Sequence, residues 1–207
     1  VVEIPPLYPA QCAITTDQYT NQITAFHPGA MGEAHQNQGT DAANISLGIV
    51  APDGRDAMLQ HSRDFAALGI PFMFDPGQNL PLFSKDELLT CIDQATWCVM
   101  NDYESQLMMK ITELTLDDIA NQVHALIVTR GGEGSRIYAR GQLIDIPVAS
   151  IQAAVDPTGC GDAFRAGVLH GLNCAWGWVP PGRVAPLAGA LHVETHATTT
   201  THVTEDP

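Results

Sequence analysis

Between residues 45 and 129 four short apolar runs, ISLGIV, IPFMFD, WCVMN and ALIVT, alternate with longer stretches whose apolar residues recur at helical spacing. A short continuous apolar run bounded by turn residues fits a strand buried on both faces, and a helix between two such strands forces a parallel crossover. Asp53 to Leu68 carries Ala57, Met58, Phe65 and Leu68 at helical spacing, with Gly69 where a C-cap belongs. A second helix is expected from Lys85 to about Ala95, and one or two more up to His124. The alternation predicts an α/β fold with a mostly parallel sheet covered on both faces.

Two antiparallel additions flank this pattern. CAITTDQYTNQITAF, residues 12–26, reads as a hairpin around a polar turn at Asp17 to Asn21, and HPGAMGEAHQNQGTD as a loop leading out of it. RIYAR and QLIDI around Gly141 look like a second hairpin appended to the sheet.

Charge narrows the ligands such a sheet can hold. The net charge is −14, with only nine Lys and Arg, which argues against nucleic acid, because a nucleic-acid binder needs a basic surface to displace counterions. A phosphate-bearing ligand would therefore be held mainly by backbone N–H groups or by a metal. No run approaches the roughly 20 apolar residues of a membrane span, and the opening VVEIPPLYPAQC has no signal-peptide pattern. The five cysteines form no CxxC pair, so reduced thiols and a cytoplasmic setting are expected.

In an open α/β sheet ligands bind outside the carboxyl ends of the strands, which here are Asp75, Asn101 and Thr129. Glu104 follows Asn101 by three residues. Each has an ordinary reading beside the chemical one: Asp75 as a turn opener and Asn101 as a helix cap. DPTGCGDAFRAG, residues 156–167, adds a stronger constraint. From Asp162 the pattern Phe164, Val168, Leu172 has period four, beside the small residues Ala163, Gly167 and Gly171. A helix starting there would aim its free N–H groups and positive dipole end at Gly159, Cys160 and Gly161, an anion hole suited to a transferring phosphoryl group. A carboxylate at its mouth repels a bound anion, so Asp162 makes sense as the acceptor of a proton from a hydroxyl attacking phosphorus. Cys160 as a thiol nucleophile has no neighbouring His or Asn to support it. Neither GxxxxGK nor GxGxxG after a strand occurs. RGGEG, with Gly131, Gly132 and Gly134, is either a turn or a platform for nucleotide phosphates.

Together these residues resemble the ribokinase-like (PfkB) family of carbohydrate and nucleoside kinases. DPTGCGDAFRAG is similar to its C-terminal motif D-x-T-G-A-G-D-x-F-x-x-G, differing at Cys160; NDYE resembles its N-x-x-E motif and VTRGGEG its T-x-G segment. NQITAFHPGAM and FDPGQ are closest in flavour to bacterial adenosine-kinase-like members. The resemblance runs from about Cys12 to about Leu172. It implies a three-layer α/β/α sandwich over residues 41–207, with residues 1–40 a partial β lid and its connection. It implies ATP and Mg2+ as cofactors, K+ in some members, and a sugar or nucleoside acceptor. Asp162 would be the base and Gly159, Cys160 and Gly161 the anion hole. Asn101 and Glu104 would organise Mg2+, Thr129, Gly131, Gly134 and Asn101 would serve the nucleotide, and Asp156 and Thr158 would lie at a monovalent-cation site.

Two departures bear on activity. Family members open with sheet strands and a Gly-Gly segment followed by Asn that bind the acceptor, and nothing here matches them, so the chain is expected to lack the N-terminal third. The end, from Asn173 to Val203, is only loosely like the closing helices of the adenine pocket, and Pro180, Pro181 and Pro186 would interrupt a helix there. A non-catalytic nucleotide-binding remnant is therefore the alternative reading. His192, His196 and His202 offer a weaker metal-binding alternative, without Cys or acidic ligands at suitable spacing. Some members pair through the lid, and an unpaired sheet edge invites a second copy, so the sequence leaves a homodimer open.

Overall fold

A computed structural model describes residues 3–16, 22–38, 43–149 and 158–174. The chain divides into two compact units, Val1–Ala95 and Thr96–Pro207.

The first unit opens with the expected hairpin. Strands β1 (Gln11–Thr16) and β2 (Gln22–His27) pair antiparallel, Gln11 opposite His27 and Thr16 opposite Gln22. The turn at residues 17–21 lies outside the described residues. The segment read as a loop after it is instead a 3-10 helix, Gly29–Gln36. Pro28 sets a helical φ of −68°, and Gly29, at φ +51°, passes so close to Tyr8 that a Cβ would sit 2.2 Å from its carbonyl oxygen. The Ala30 N–H donates to that same oxygen at 2.8 Å.

The α/β pattern then begins. β3 (Gly48–Val50) and β4 (Phe72–Phe74) are parallel, Gly48 opposite Phe72, joined by helix α1 (Arg55–Leu68). α1 ends as its sequence requires, at Gly69 in the left-handed region with φ +66°. A Cβ on Gly48 would meet the Phe65 ring at 2.8 Å, so glycine lets α1 lie close on the strand. The expected turn PGQN extends into a 3-10 helix, Gly77–Leu82. Helix α2 (Lys85–Gln94) opens with a capping box in which Ser84 and Glu87 each accept from the other's N–H, and Arg55 pairs with Glu87 from α1. Phe72, Met73, Phe74, Leu80, Leu88 and Ile92 are fully buried, each stabilising by about 1.5–3 kcal/mol relative to exposure.

In the second unit the other two apolar runs, WCVMN and ALIVT, form strands over their expected residues. β5 (Trp97–Asn101) and β6 (Ala125–Thr129) are parallel, Trp97 opposite Ala125 and Asn101 opposite Thr129. Helices α3 (Asp102–Thr112) and α4 (Leu116–Ala120) form the crossover, and α3 packs on both strands. β7 (Ser135–Ala139) pairs antiparallel with β6, and β8 (Gln142–Ile146) with β7. Helix α5 (Cys160–Asn173) buries Phe164, Gly167, Val168 and Gly171. Its start is a correction: Cys160 and Gly161 belong to the first turn rather than to a loop before it. No helix among the described residues is long and apolar enough to cross a membrane. Asp156 and the tail from residue 175, with Pro180, Pro181 and Pro186 and its histidines, lie outside the described residues.

Candidate active site

The predicted site residues of the second unit fall into three local groups, each fixed by an element end. The first is the exit of β5. Asn101 Oδ1 accepts from the Glu104 N–H at 2.7 Å, and Glu104 Oε2 accepts from the Asn101 N–H at 2.7 Å. This is a capping box on α3, so the cap reading of Asn101 holds, and it fixes the geometry of the N-x-x-E pair. Glu104 is 8% exposed. One of its oxygens closes the cap at the strand exit.

The second group is the exit of β6. Register places Thr129 directly beside Asn101, so the two motifs share one edge of the parallel pair. The chain turns back through a short 3-10 helix, Gly131–Glu133, closed by the Arg130 N–H to the Gly134 carbonyl at 2.8 Å. Arg130 braces the turn, donating to the Glu133 carbonyl at 3.1 Å and reaching Asp145 of β8 at 3.2 Å. Arg136 holds the same Asp145 carboxylate at 2.9 Å. The two glycines predicted to serve a nucleotide differ here. Gly131 has φ +52° with open space where a Cβ would be, which suits close approach of a ligand to backbone. Gly134, at φ +84°, would put a Cβ 2.1 Å from the Ile146 carbonyl, so the path of the chain already requires glycine there.

The third group is the first turn of α5. Gly159 caps it with φ +85° and no side-chain cap bond. The first intrahelical bond is from the Ala163 N–H to the Gly159 carbonyl at 2.9 Å, so the N–H groups of residues 160–162 have no acceptor within the helix. A helix N-terminus on a glycine N-cap, with its dipole, favours an anion. Cys160 and Thr158 are half-buried, while Gly161 and Asp162 are exposed. The Asp162 carboxylate, 87% exposed, stands at that end with Arg165 Nη1 3.9 Å away.

Arg165 is the residue that sequence reasoning missed; its only signal was the i,i+3 spacing from Asp162. Asp75 lies in the first unit directly after β4, 1% exposed, its N–H donating to the Val50 carbonyl at 2.8 Å. No cluster of three His, Cys, Asp or Glu that could hold a metal occurs among the described residues. Mg2+ keeps several waters and takes one or two carboxylates together with substrate phosphates. Glu104 fits as such a carboxylate, being held rigid at the strand exit.

A family model described as pfkB family carbohydrate kinase matches residues 8–205. A nucleoside kinase of Methanocaldococcus jannaschii is 35% identical over 160 residues, covering 75% of this chain and 51% of that protein. The Burkholderia thailandensis nucleoside kinase, solved in complex with inosine, superposes with a TM-score of 0.93 at 47% identity, covering 95% of this chain and 65% of that one. The same enzyme solved with ADP-inosine gives a TM-score of 0.92 at 47% identity, covering 95% of this chain and 62% of that one. The chain has the ribokinase fold of these neighbours, and it spans about half the length of the first curated relatives it matches.

Proposed function

The chain belongs to the pfkB family of carbohydrate kinases, and on that premise we propose that the protein carrying it transfers the γ-phosphate of ATP to an alcohol group of a nucleoside. The observation that carries this is the first turn of α5, a helix N-terminus on a glycine N-cap with the exposed carboxylate of Asp162 in its third position. A structure of a relative with ADP-inosine, at 47% identity, supports a nucleoside as acceptor over a free sugar.

In this reading Asp162 takes the proton of the acceptor hydroxyl as its oxygen attacks the γ-phosphorus in line, and the bond to the ADP oxygen breaks. The N–H groups of Cys160 and Gly161, with Gly159 allowing the approach, stabilise charge on the transferring group. Thr129 and the open backbone at Gly131 serve the nucleotide phosphates; the backbone constraint at Gly134 makes its role that of shaping the turn. Mg2+, bound through Asn101 and Glu104, would neutralise phosphate charge. Asp156 and Thr158 remain the residues proposed for K+. Residues 1–40 are proposed as part of the lid that excludes water. The exposed Ile14, Ile23 and Phe26 of its hairpin support pairing with a second copy, which sedimentation tests directly; a monomer at micromolar concentration removes that proposal. A cytoplasmic setting belongs to the same proposal; none of the described cysteines is paired in a disulfide.

The test is ADP release with Mg2+ and ATP against inosine, adenosine, ribose and fructose, beside Asp162→Asn. Turnover with a nucleoside that falls by about 10²-fold or more in the variant is expected. Folded protein that binds ATP yet turns over no acceptor would instead point to a nucleotide-binding remnant.

A further inference from the structure

We propose that Arg165 is a positioning residue for the transfer step, holding the Asp162 carboxylate over the first turn of α5; this rests on the reading of Asp162 as the base. The two side chains lie on one face of the helix, three residues apart, with Nη1 3.9 Å from Oδ1. An exposed pair of this kind is ordinarily worth little, because two long side chains are free to part. Arg165 departs from that pattern. Its side chain is only 18% exposed, against 87% for Asp162. Its guanidinium also fills the space where a Cβ of residue 161 would stand, 2.5 Å from Nη1.

Glycine at 161 therefore does two things at once. It bares the backbone to an anion, and it leaves room for a guanidinium to lie across the turn toward Asp162. Any side chain there would push that group off the carboxylate. The consequence is electrostatic as well as steric. A carboxylate at the mouth of an anion hole repels the phosphates that must enter, and a cation beside it offsets that charge while restricting the carboxylate's rotamers. Cations are scarce in this chain, nine Lys and Arg against 23 Asp and Glu, and Arg130 and Arg136 are both engaged with Asp145.

The experiment compares Arg165→Met, Arg165→Lys, Gly161→Ala and the double variant Gly161→Ala/Arg165→Met with Asp162→Ala in the full-length protein, by steady-state kinetics with ATP and a nucleoside. Thermal melts run in parallel. Misplacing a reacting group by about 1 Å costs about 10²-fold, so Arg165→Met is expected to lower kcat by about 10- to 100-fold while KM for ATP and acceptor change less than about twofold. Arg165→Lys, which keeps the stem and the charge, should recover part of the loss. Gly161→Ala should cost less in the Arg165→Met background than alone, because the group it displaces is already gone and only the exposure of the backbone to an anion remains to be lost. An unchanged kcat in Arg165→Met while Asp162→Ala is inactive overturns this inference alone. So does a rise in KM for ATP at constant kcat, which would make Arg165 a ground-state phosphate ligand. Turnover surviving in Asp162→Ala overturns the underlying reading and this inference with it.

Discussion

Replacing Glu104 by Gln separates the helix cap that its carboxylate makes from the Mg2+ role proposed for it. In the capping box Glu104 Oε2 accepts from the Asn101 N–H at 2.7 Å; a Gln carbonyl accepts the same bond, and Gln is an ordinary partner in such boxes. The fold should therefore lose less than about 1 kcal/mol, a melting shift of at most about 2–4 °C for a chain of this size. The carboxylate is lost, and with it the contribution that this 8% exposed group would make to holding Mg2+ in the proposed role. A drop of about 10²-fold in kcat/KM, equivalent to about 2.7 kcal/mol, is expected, eased by raising Mg2+. Glu104→Ala removes both functions and leaves the half-buried Asn101 N–H without its acceptor, costing about 1–3 kcal/mol of stability as well. Thermal melts and a Mg2+ titration of the steady-state rate read the two effects separately. Full kcat/KM in Glu104→Gln at every Mg2+ concentration would make the residue a helix cap and nothing more. Equal destabilisation by Gln and Ala would show that the cap itself depends on the charge.

Two further contrasts follow from the same geometry. Gly134→Ala must resolve a Cβ 2.1 Å from the Ile146 carbonyl at φ +84°, at a cost on the order of 3 kcal/mol. Gly131→Ala, at φ +52° in open space, should cost only about 1 kcal/mol and raise KM for ATP; equal losses of stability would contradict the difference drawn between the two glycines. Burial pushes the Cys91 thiol up from 9.0 to about 11, so folding favours its protonated form. Its contribution to stability is intact below about pH 9 and is lost as pH rises toward 11, by at most about 2–3 kcal/mol. Urea melts across that window should show the decline, and Cys91→Ala should flatten it; an equal slope in the variant would assign the loss to other groups.

What the sequence disclosed depended on whether the determining contact was local. WCVMN and ALIVT are strands over the expected residues because both are apolar nearly throughout and buried from neighbour to neighbour. ISLGIV shrinks to Gly48–Val50, beginning only where the Phe65 ring covers the strand. The 3-10 helix at residues 29–36 was hidden because it depends on Gly29 lying against Tyr8 and Pro9, some twenty residues earlier in the chain. The first turn of α5 escaped notice for another reason: the apolar period starts at Phe164, and Cys160 and Gly161 carry no apolar signal of their own. Asn101 and Glu104 were legible in both roles, since a capping box and N-x-x-E share one spacing. Arg165 carries no sequence signal beyond its i,i+3 spacing from Asp162, because its placement turns on a missing Cβ four residues away.

The treatment of helix N-termini separates scaffold from site. α2, α3 and α4 each open with a capping box that occupies their first N–H groups. α1 opens at Gly54, whose N–H is taken by Asp53 Oδ1 at 2.7 Å. α5 opens at Gly159 with φ +85°, a backbone conformation that a Ser, Thr or Asp cap in its usual extended geometry cannot share. Forgoing a side-chain cap costs about 1 kcal/mol, and the same backbone that forbids it turns the N-terminus of α5 outward beside Asp162. A helix start whose own φ angle forbids the side-chain cap that three others carry suits the anion site proposed for it, and an anion bound there would offset that cost.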